Sequence, residues 1–246
     1  MTLNQDDLDY FDRGKTNNPK FWSRLGGEPN FKDTKVLDVG CGFGSLCIDI
    51  AKSGAGKVIG IDINEKFLDF AEENMIKNHP KAKKNVEFIC CQISELKEKN
   101  FDYIISQNSF EHILNLDEVF SGMESKLKSG GKIYIGFSAL YNSPLGHHNL
   151  IGTKFPWAHV LFSEETLVKK ANKNRTDKIS SIQDLGLNQL SYAKYKSLLF
   201  NSNLKVIYFN VNVSKNPILK IFSIISRIRS LEEYFTYNLY CILEKI

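Results

Sequence analysis

The run Val36-Leu37-Asp38-Val39-Gly40-Cys41-Gly42-Phe43-Gly44-Ser45-Leu46 restricts this chain to few folds. Apolar residues flank one acid, and three glycines then alternate with other residues. The pattern predicts a buried strand that ends in a loop and turns directly into a helix at about residue 44. Glycine is required where a backbone takes unusual dihedrals or approaches a ligand closely. A glycine loop between a strand and a helix N-terminus is a ligand-binding place in an open α/β sheet.

The downstream pattern agrees with such a sheet. Strands are expected at 57–61, 86–91, 101–106 and 132–137. Asn64 is placed to cap a helix carrying Phe67, Ala71 and Met75 at helical spacing. His79-Pro80 follows its end. A further helix is expected over 116–128, with Phe120, Met123 and Leu127 on one face and Gly130-Gly131 closing it. This alternation implies a parallel sheet with helices on both faces. Before it, Pro19 is placed to open a short helix through Phe21, Trp22 and Leu25, ended by Gly26-Gly27. Residues 1–34 are therefore read as a helical segment packed on the main domain, with a lid over the ligand as the sharper expectation.

After Ser138 the pattern changes. Residues 139–160 hold two prolines, Trp157 and three of the five histidines, an irregular segment of the kind that often carries function. Ser163 caps a helix with Glu164 and Glu165 in its first turn. Residues 172–186 read as polar loop. A helix over 188–201 is expected to half-bury Leu190, Ala193 and Leu198. A strand over 204–213, an amphipathic helix over 217–229 and a strand over 235–243 complete the chain.

The net charge of +4 is too small for nucleic-acid binding without a concentrated patch, and Lys81, Lys83 and Lys84 read as a solvated loop. The five cysteines form neither a CxxC pair nor a disulfide framework. Cys41, Cys90, Cys91 and Cys241, in or beside strands, read as small apolar fillers in a reducing compartment. The polar, acidic start of the chain does not resemble a secretory leader, and no apolar run approaches the roughly 18 residues of a membrane span. Cytoplasm is the expected location.

The spacing of the glycines bears on the ligand. A dinucleotide loop takes G-x-G-x-x-G, so that amides reach a pyrophosphate. Here the third glycine comes one place early, and Asp38 stands just ahead of the loop. S-adenosylmethionine has no phosphate but carries a cationic amino acid end and a positive sulfur, which a carboxylate such as Asp38 favours. Asp62, at the end of Gly60-Ile61-Asp62, is placed to accept both ribose hydroxyls. That role also occurs in NAD proteins, and helix capping is its plain structural alternative.

Residues 36 to about 137 resemble the core of class I S-adenosylmethionine-dependent methyltransferases, of the type 11/12 kind. The resemblance rests on the glycine run, Gly60-Ile61-Asp62, Phe101-Asp102-Tyr103-Ile104-Ile105-Ser106, Phe110-Glu111-His112 and Leu127-Lys128-Ser129-Gly130-Gly131-Lys132. It implies a Rossmann-like, seven-stranded, mostly parallel α/β sheet with an antiparallel last strand. It implies S-adenosyl-L-methionine as cofactor, held by residues 35–246, with an insert at 139–200 forming the acceptor site. By position, Gly40, Cys41, Gly42 and Gly44 would line the methionine and ribose parts. Asp62 would bind the ribose and Ile63 would flank the adenine. Gln92, where the family often has an acid, and Ile93 would meet the adenine end. Ser106 and Gln107 would reach the methionine end. Glu111-His112 resembles an acid–histidine pair of many members and reads as a structural hydrogen-bonding pair ahead of a catalytic one.

The acceptor is less legible. Ser106-Gln107-Asn108-Ser109 lacks the Asn/Asp-Pro-Pro-Tyr/Phe pattern of enzymes that methylate amino groups in nucleic acid. Methyl transfer to a hydroxyl needs alignment, exclusion of water and removal of a proton. His147, His148 and His159 are the candidate bases, with loop-orienting contacts as their structural alternative. They are not expected to bind a metal, because adjacent His147 and His148 point apart. Trp157 is placed either to stack on a sugar or aromatic ring or to anchor the loop. The expected activity is O-methylation of a small-molecule or glycan-linked acceptor. An RNA methyltransferase, a non-catalytic adenosyl-ligand scaffold and an NAD-dependent oxidoreductase are the competing readings.

Overall fold

The computed structural model of the chain describes residues 3–246. The expectation about a leader rests in part on Met1 and Thr2, which lie outside them. Two N-terminal helices, α1 (Gln5–Asp12) and α2 (Gly14–Arg24), precede a regular alternation. It runs β1 (Lys35–Val39), α3 (Ser45–Lys52), β2 (Lys57–Asp62), α4 (Glu65–Asn78), β3 (Val86–Cys90), β4 (Phe101–Gln107), α5 (Leu116–Lys126) and β5 (Leu127–Ser138). The insert contributes α6 (Ala158–Leu161), α7 (Glu164–Ala171), two short 3-10 turns and α8 (Tyr192–Phe200). The chain then forms β6 (Lys205–Val211), α9 (Pro217–Ile225), α10 (Glu232–Phe235) and β7 (Asn238–Glu244).

The seven strands lie in the order β3-β2-β1-β4-β5-β7-β6. The first five are parallel, with Asp38 opposite Gly60 and Val36 opposite Tyr103. β7 runs antiparallel to both neighbours, with Ser138 opposite Asn238. Strand alternation sends successive side chains to opposite faces. Leu37, Ile59, Ile104 and Ile133 join one core with α5 and α8. Val36, Val58, Ile105 and Tyr134 join the other with α2, α3 and α4. The seven-stranded, Rossmann-like sheet expected from the motifs is the observed one.

Four local expectations are corrected. Pro19 does not open its helix; α2 begins five residues earlier, and Pro19 lies inside it. The missing amide is tolerated because Asn18, Phe21 and Trp22 on the same helix are buried. Gly130-Gly131 does not end α5. Leu127, already extended, does that, and the glycines belong to β5, where the Gly130 amide donates to the Lys245 carbonyl. Ser191 caps α8, so the helix starts later than expected and buries Tyr192, Tyr195 and Leu199 while Ala193 is exposed. Cys90 is exposed at its strand end, so it fills no core; all five cysteines are free. No helix among the described residues is long and apolar enough to cross a membrane.

Candidate active site

The carboxyl ends of β1, β2, β3 and β4 open into one cavity of about 880 Å³. Its walls include Asp38, Gly40, Cys41 and Gly42 from the β1 end, Asp62 and Ile63 from the β2 end, and Gln92 and Ile93 after β3. Gln107, Asn108 and Ser109 come from the end of β4, and His112 from the segment after it. Tyr10, Arg13, Asn17 and Asn18 of the N-terminal segment close one side.

The glycine loop is held from two directions. The amides of Gly40 and Cys41 both donate to the Ile61 carbonyl, at 2.9 and 3.1 Å. Asp62 accepts the Gly42 amide through Oδ2 and the Asn64 amide through Oδ1, each at 2.9 Å. Gly40 has φ +74°, and a Cβ there would lie 2.5 Å from Ser109 Oγ, which itself donates to the Gly40 carbonyl. A Cβ on Gly42 would meet nothing within 4 Å, so this backbone faces open cavity. Gly44 differs: its hydrogen side faces the Phe88 ring, and the residue lies off the cavity wall. Its role here is to let the loop pack against β3.

Asp38 is buried and accepts from the Cys47 thiol at 3.3 Å. Burial pushes its pKa up to about 7; the Cys47 contact opposes the rise and nearby Asp62 adds to it. No cation is at hand to compensate among the described residues. Ser106 is also buried, but its hydroxyl donates to the Val39 carbonyl at 3.0 Å, so it ties β4 to β1 and does not line the cavity.

The structure does not bring the three insert histidines to the cavity wall. His147 and His159 are buried against each other, with ring centroids 5.2 Å apart. His147 accepts the Asn149 amide at Nδ1 and points Nε2 at the Phe155 carbonyl. His159 donates Nε2 to the Tyr141 carbonyl. Burial lowers the pKa of both, that of His159 to about 4, so these rings stay neutral at pH 7. His148 donates Nε2 to the Ala139 carbonyl at 2.9 Å. Trp157 donates its indole N–H to the Tyr234 carbonyl and packs on Phe235 and Phe222. Of its two expected tasks, the geometry is that of the loop anchor.

Sequence reading placed the N-terminal segment over the ligand without naming Tyr10, Arg13, Asn17 or Asn18, and it missed Ser109 and the place of His112. Ser109 carries no periodic signal; its contact with Gly40 exists only once β4 lies beside β1. His112 donates Nδ1 to the Gly186 carbonyl at 2.8 Å and faces the cavity, while neighbouring Glu111 is buried with Oε2 unpartnered among the described residues. Burial raises the Glu111 pKa to about 8. Glu111, His112 and His148 each bring one ligand atom within 4.8 Å of the others.

A family profile described as a methyltransferase domain matches residues 30–184. The chain belongs to this methyltransferase family. A ubiquinone biosynthesis O-methyltransferase of Neisseria meningitidis serogroup C is 28% identical over 137 residues, covering 54% of this chain and 56% of that protein. An uncharacterized protein of Haemophilus influenzae is 36% identical over 107 residues, 43% and 42% of the two chains. The chain thus spans about half the length of the curated relatives it matches. Among solved structures, an S-adenosylmethionine dependent methyltransferase from Mesorhizobium loti superposes with TM-score 0.61 at 16% identity, over 92% of this chain and 96% of that one. Geranyl diphosphate C-methyltransferase from Streptomyces coelicolor gives 0.61 at 12%, over 98% and 82%. These likenesses show the methyltransferase fold.

Proposed function

We infer that this methyltransferase moves a methyl group from S-adenosyl-L-methionine to a hydroxyl of a small-molecule acceptor. The observation that carries the donor assignment is the pairing, on one cavity wall, of an open Gly42 backbone with the buried carboxylate of Asp38. The buried carboxyl has no cationic partner, and a sulfonium donor with an ammonium end supplies one. The cofactor's own contribution, when bound, is an activated methyl group on a positive sulfur.

The chain's residues bind and orient it. Each Asp62 oxygen keeps a lone pair beyond its bond to the loop backbone, enough to accept a ribose hydroxyl. Ile63, 77% exposed on the cavity rim, gains an apolar partner when an adenine covers it. The Gln92 amide oxygen suits the adenine amino group. At 880 Å³ the cavity sits near the top of the range of roughly 300–1,000 Å³ for small-molecule sites, which leaves room for an acceptor beside the donor. With Nδ1–H given to Gly186, His112 has its lone pair at Nε2, a group able to accept a hydroxyl hydrogen.

Oxygen as acceptor atom draws support from this His112 lone pair and from the likeness to the O-methyltransferase of Neisseria. A glycan-linked acceptor loses its motive, since Trp157 and the histidines at 147 and 159 lie off the cavity wall. The test is thermal shift with S-adenosylhomocysteine against NAD, followed by labelled donor with fractionated cell extract and mass identification of the product. Stabilisation by S-adenosylhomocysteine and a methyl ether product are expected. Stabilisation by NAD alone overturns the donor assignment; a product methylated on nitrogen or carbon overturns the acceptor atom.

A further inference from the structure

We propose that Glu111, His112 and His148 form a binding site for a divalent transition-metal ion behind the stretch of cavity wall that His112 lines. One ligand atom from each residue lies within 4.8 Å of the other two. Glu111 is 4% exposed, and its Oε2 has no hydrogen-bond partner among the described residues. A buried acceptor left unpaired is costly unless something fills it. Each ring already donates one nitrogen to a backbone carbonyl: His112 Nδ1 to Gly186 and His148 Nε2 to Ala139. A carbonyl only accepts, so the proton sits on the bonded nitrogen of each ring. The lone pairs are then on His112 Nε2 and His148 Nδ1, the tautomers a metal ion needs, fixed in the way outer contacts fix metal-bound histidines.

The donor set, two imidazoles and one carboxylate, suits zinc, cobalt, iron or manganese in the divalent state and leaves coordination positions open. Because His112 lines the cavity, an open position faces the space beside the donor. An acceptor hydroxyl ligated there would release its proton to solvent more readily, so the ion would take over the activation otherwise left to the His112 lone pair. This role rests on the oxygen-acceptor reading above; the binding of the ion does not.

The test uses the full chain, stripped with a chelator and titrated with Co(II) while visible absorption and heat are recorded. Saturable 1:1 binding is expected, weakened at least tenfold in Glu111→Gln and in His148→Ala and retained in His159→Gln. Both loss variants are checked for S-adenosylhomocysteine stabilisation, which reports an intact donor side. No saturable Co(II) binding in the native chain, or equal binding in folded Glu111→Gln and His148→Ala, overturns the metal site and leaves methyl transfer standing. Co(II) binding together with a nitrogen- or carbon-methylated product instead overturns the acceptor reading.

A second, independent observation concerns α9. Ile218, Ile221, Ile224 and Ile228 are exposed, Ile224 to 65%, at spacings that place them on one side of the helix and its following turn. Exposed Lys215, Lys220, Arg227 and Arg229 flank them, and residues 205–231 contain no Asp or Glu. The opposite side is fixed to the protein by buried Leu219 and by Phe222 against Phe235 and Trp157. The geometry points to docking on an anionic lipid surface: apolar side chains enter the acyl boundary while the basic residues meet the headgroups. Because α9 joins β6 to the start of β7, it stands at the end of the sheet where the donor cavity opens. Co-flotation with phosphatidylcholine vesicles, with and without phosphatidylglycerol, tests this. Binding to the anionic vesicles, reduced by high salt and lost in Ile221→Asp/Ile224→Asp, is expected. No binding, binding unchanged in the double variant, or a dimer that the double variant dissociates without any vesicle binding would each overturn it.

Discussion

Asp62 accepts the amide of Gly42 at 2.9 Å, so a carboxylate at the end of β2 fixes the middle of the glycine loop at the end of β1. The same side chain also holds the Asn64 amide at the start of α4. Asp62→Ala removes both bonds and the proposed ribose acceptor together. We expect donor affinity to fall by 10- to 100-fold, about 1.4–2.8 kcal/mol, within the range for charged hydrogen bonds. Asp62→Asn keeps one acceptor oxygen and should lose less. Calorimetric titration with S-adenosylhomocysteine measures both, and equal affinity in all three proteins removes Asp62 from the donor site.

Asp38 gives a pH dependence of definite sign. Its pKa is raised from 3.8 to about 7 by burial. Below pH 4 both folded and unfolded forms are protonated and the residue is neutral in the balance. As pH rises from about 4 to about 7, the unfolded chain ionises first, so folding stability declines; the limiting cost is on the order of 4 kcal/mol. Asp38→Asn should therefore raise Tm at pH 8 in ligand-free protein and flatten the decline between pH 4 and 7. It should also weaken the cationic donor. In the native chain, donor affinity should fall as pH drops below about 7, because binding requires the ionised carboxyl. Thermal melts and titrations across roughly pH 4–8 check all four trends.

Gly44 tests packing apart from ligand binding. A Cβ there would sit 2.5 Å from the Phe88 ring, and φ is +76°. Gly44→Ala should lower stability by about 1–3 kcal/mol through overpacking and the left-handed backbone. Adding Phe88→Leu should recover part of that loss and no more, since the backbone strain persists. Denaturant melts of the single and double variants decide it; full recovery would mean the φ carries no cost.

The insert histidines are expected to act on stability. His159 is buried with its pKa lowered to about 4, against 6.5 unfolded. As pH falls from 6.5 to 4 the unfolded chain gains a proton that the folded one refuses, so stability drops across that window. His159→Gln retains a side-chain N–H for the Tyr141 carbonyl and cannot titrate. It should flatten this acid limb and leave turnover unchanged. A large fall in turnover with an unchanged melt would return His159 to the catalytic machinery.

The sheet was legible in the sequence because its signals are local: a buried run, then a glycine loop or a capped helix, repeated. Asp38, Gly40 and Gly42 on the cavity wall were legible for the same reason, since strand, loop and helix are contiguous there. What escaped depends on contacts between distant segments. Nothing local marks Ser109 as the neighbour of Gly40, or His148 as the neighbour of His112; both follow from which strand lies next to which. The orientation of the histidines in the insert escaped for a physical reason as well. A long irregular segment must satisfy its own carbonyls, and Phe155, Tyr141 and Ala139 take the rings that composition alone would offer to a substrate.

The N-terminal segment offers the remaining test, built on the proposal that it covers the donor. Asn18 is buried on α2 and donates Nδ2 to Asp49 at 2.7 Å and to Ser45 at 3.2 Å, both on the helix that starts from the glycine loop. Gly14 fits against the same place, since a Cβ there would overlap Ser45 Oγ. This contact sets how closely Arg13 and Asn17 approach the cavity. Asn18→Ala removes both bonds and leaves the half-exposed Asp49 carboxylate to Lys52 and solvent, while Phe21, Trp22 and Leu25 keep α2 on the core. If α2 closes the site, loosening this end should speed donor release more than it slows capture, since mutational effects on affinity fall mostly on dissociation. Stopped-flow release of S-adenosylhomocysteine should be several-fold faster in Asn18→Ala, with a smaller change in association. Equal release rates, in a variant whose melt confirms the lost hydrogen bonds, would make the segment a packing element and not a lid.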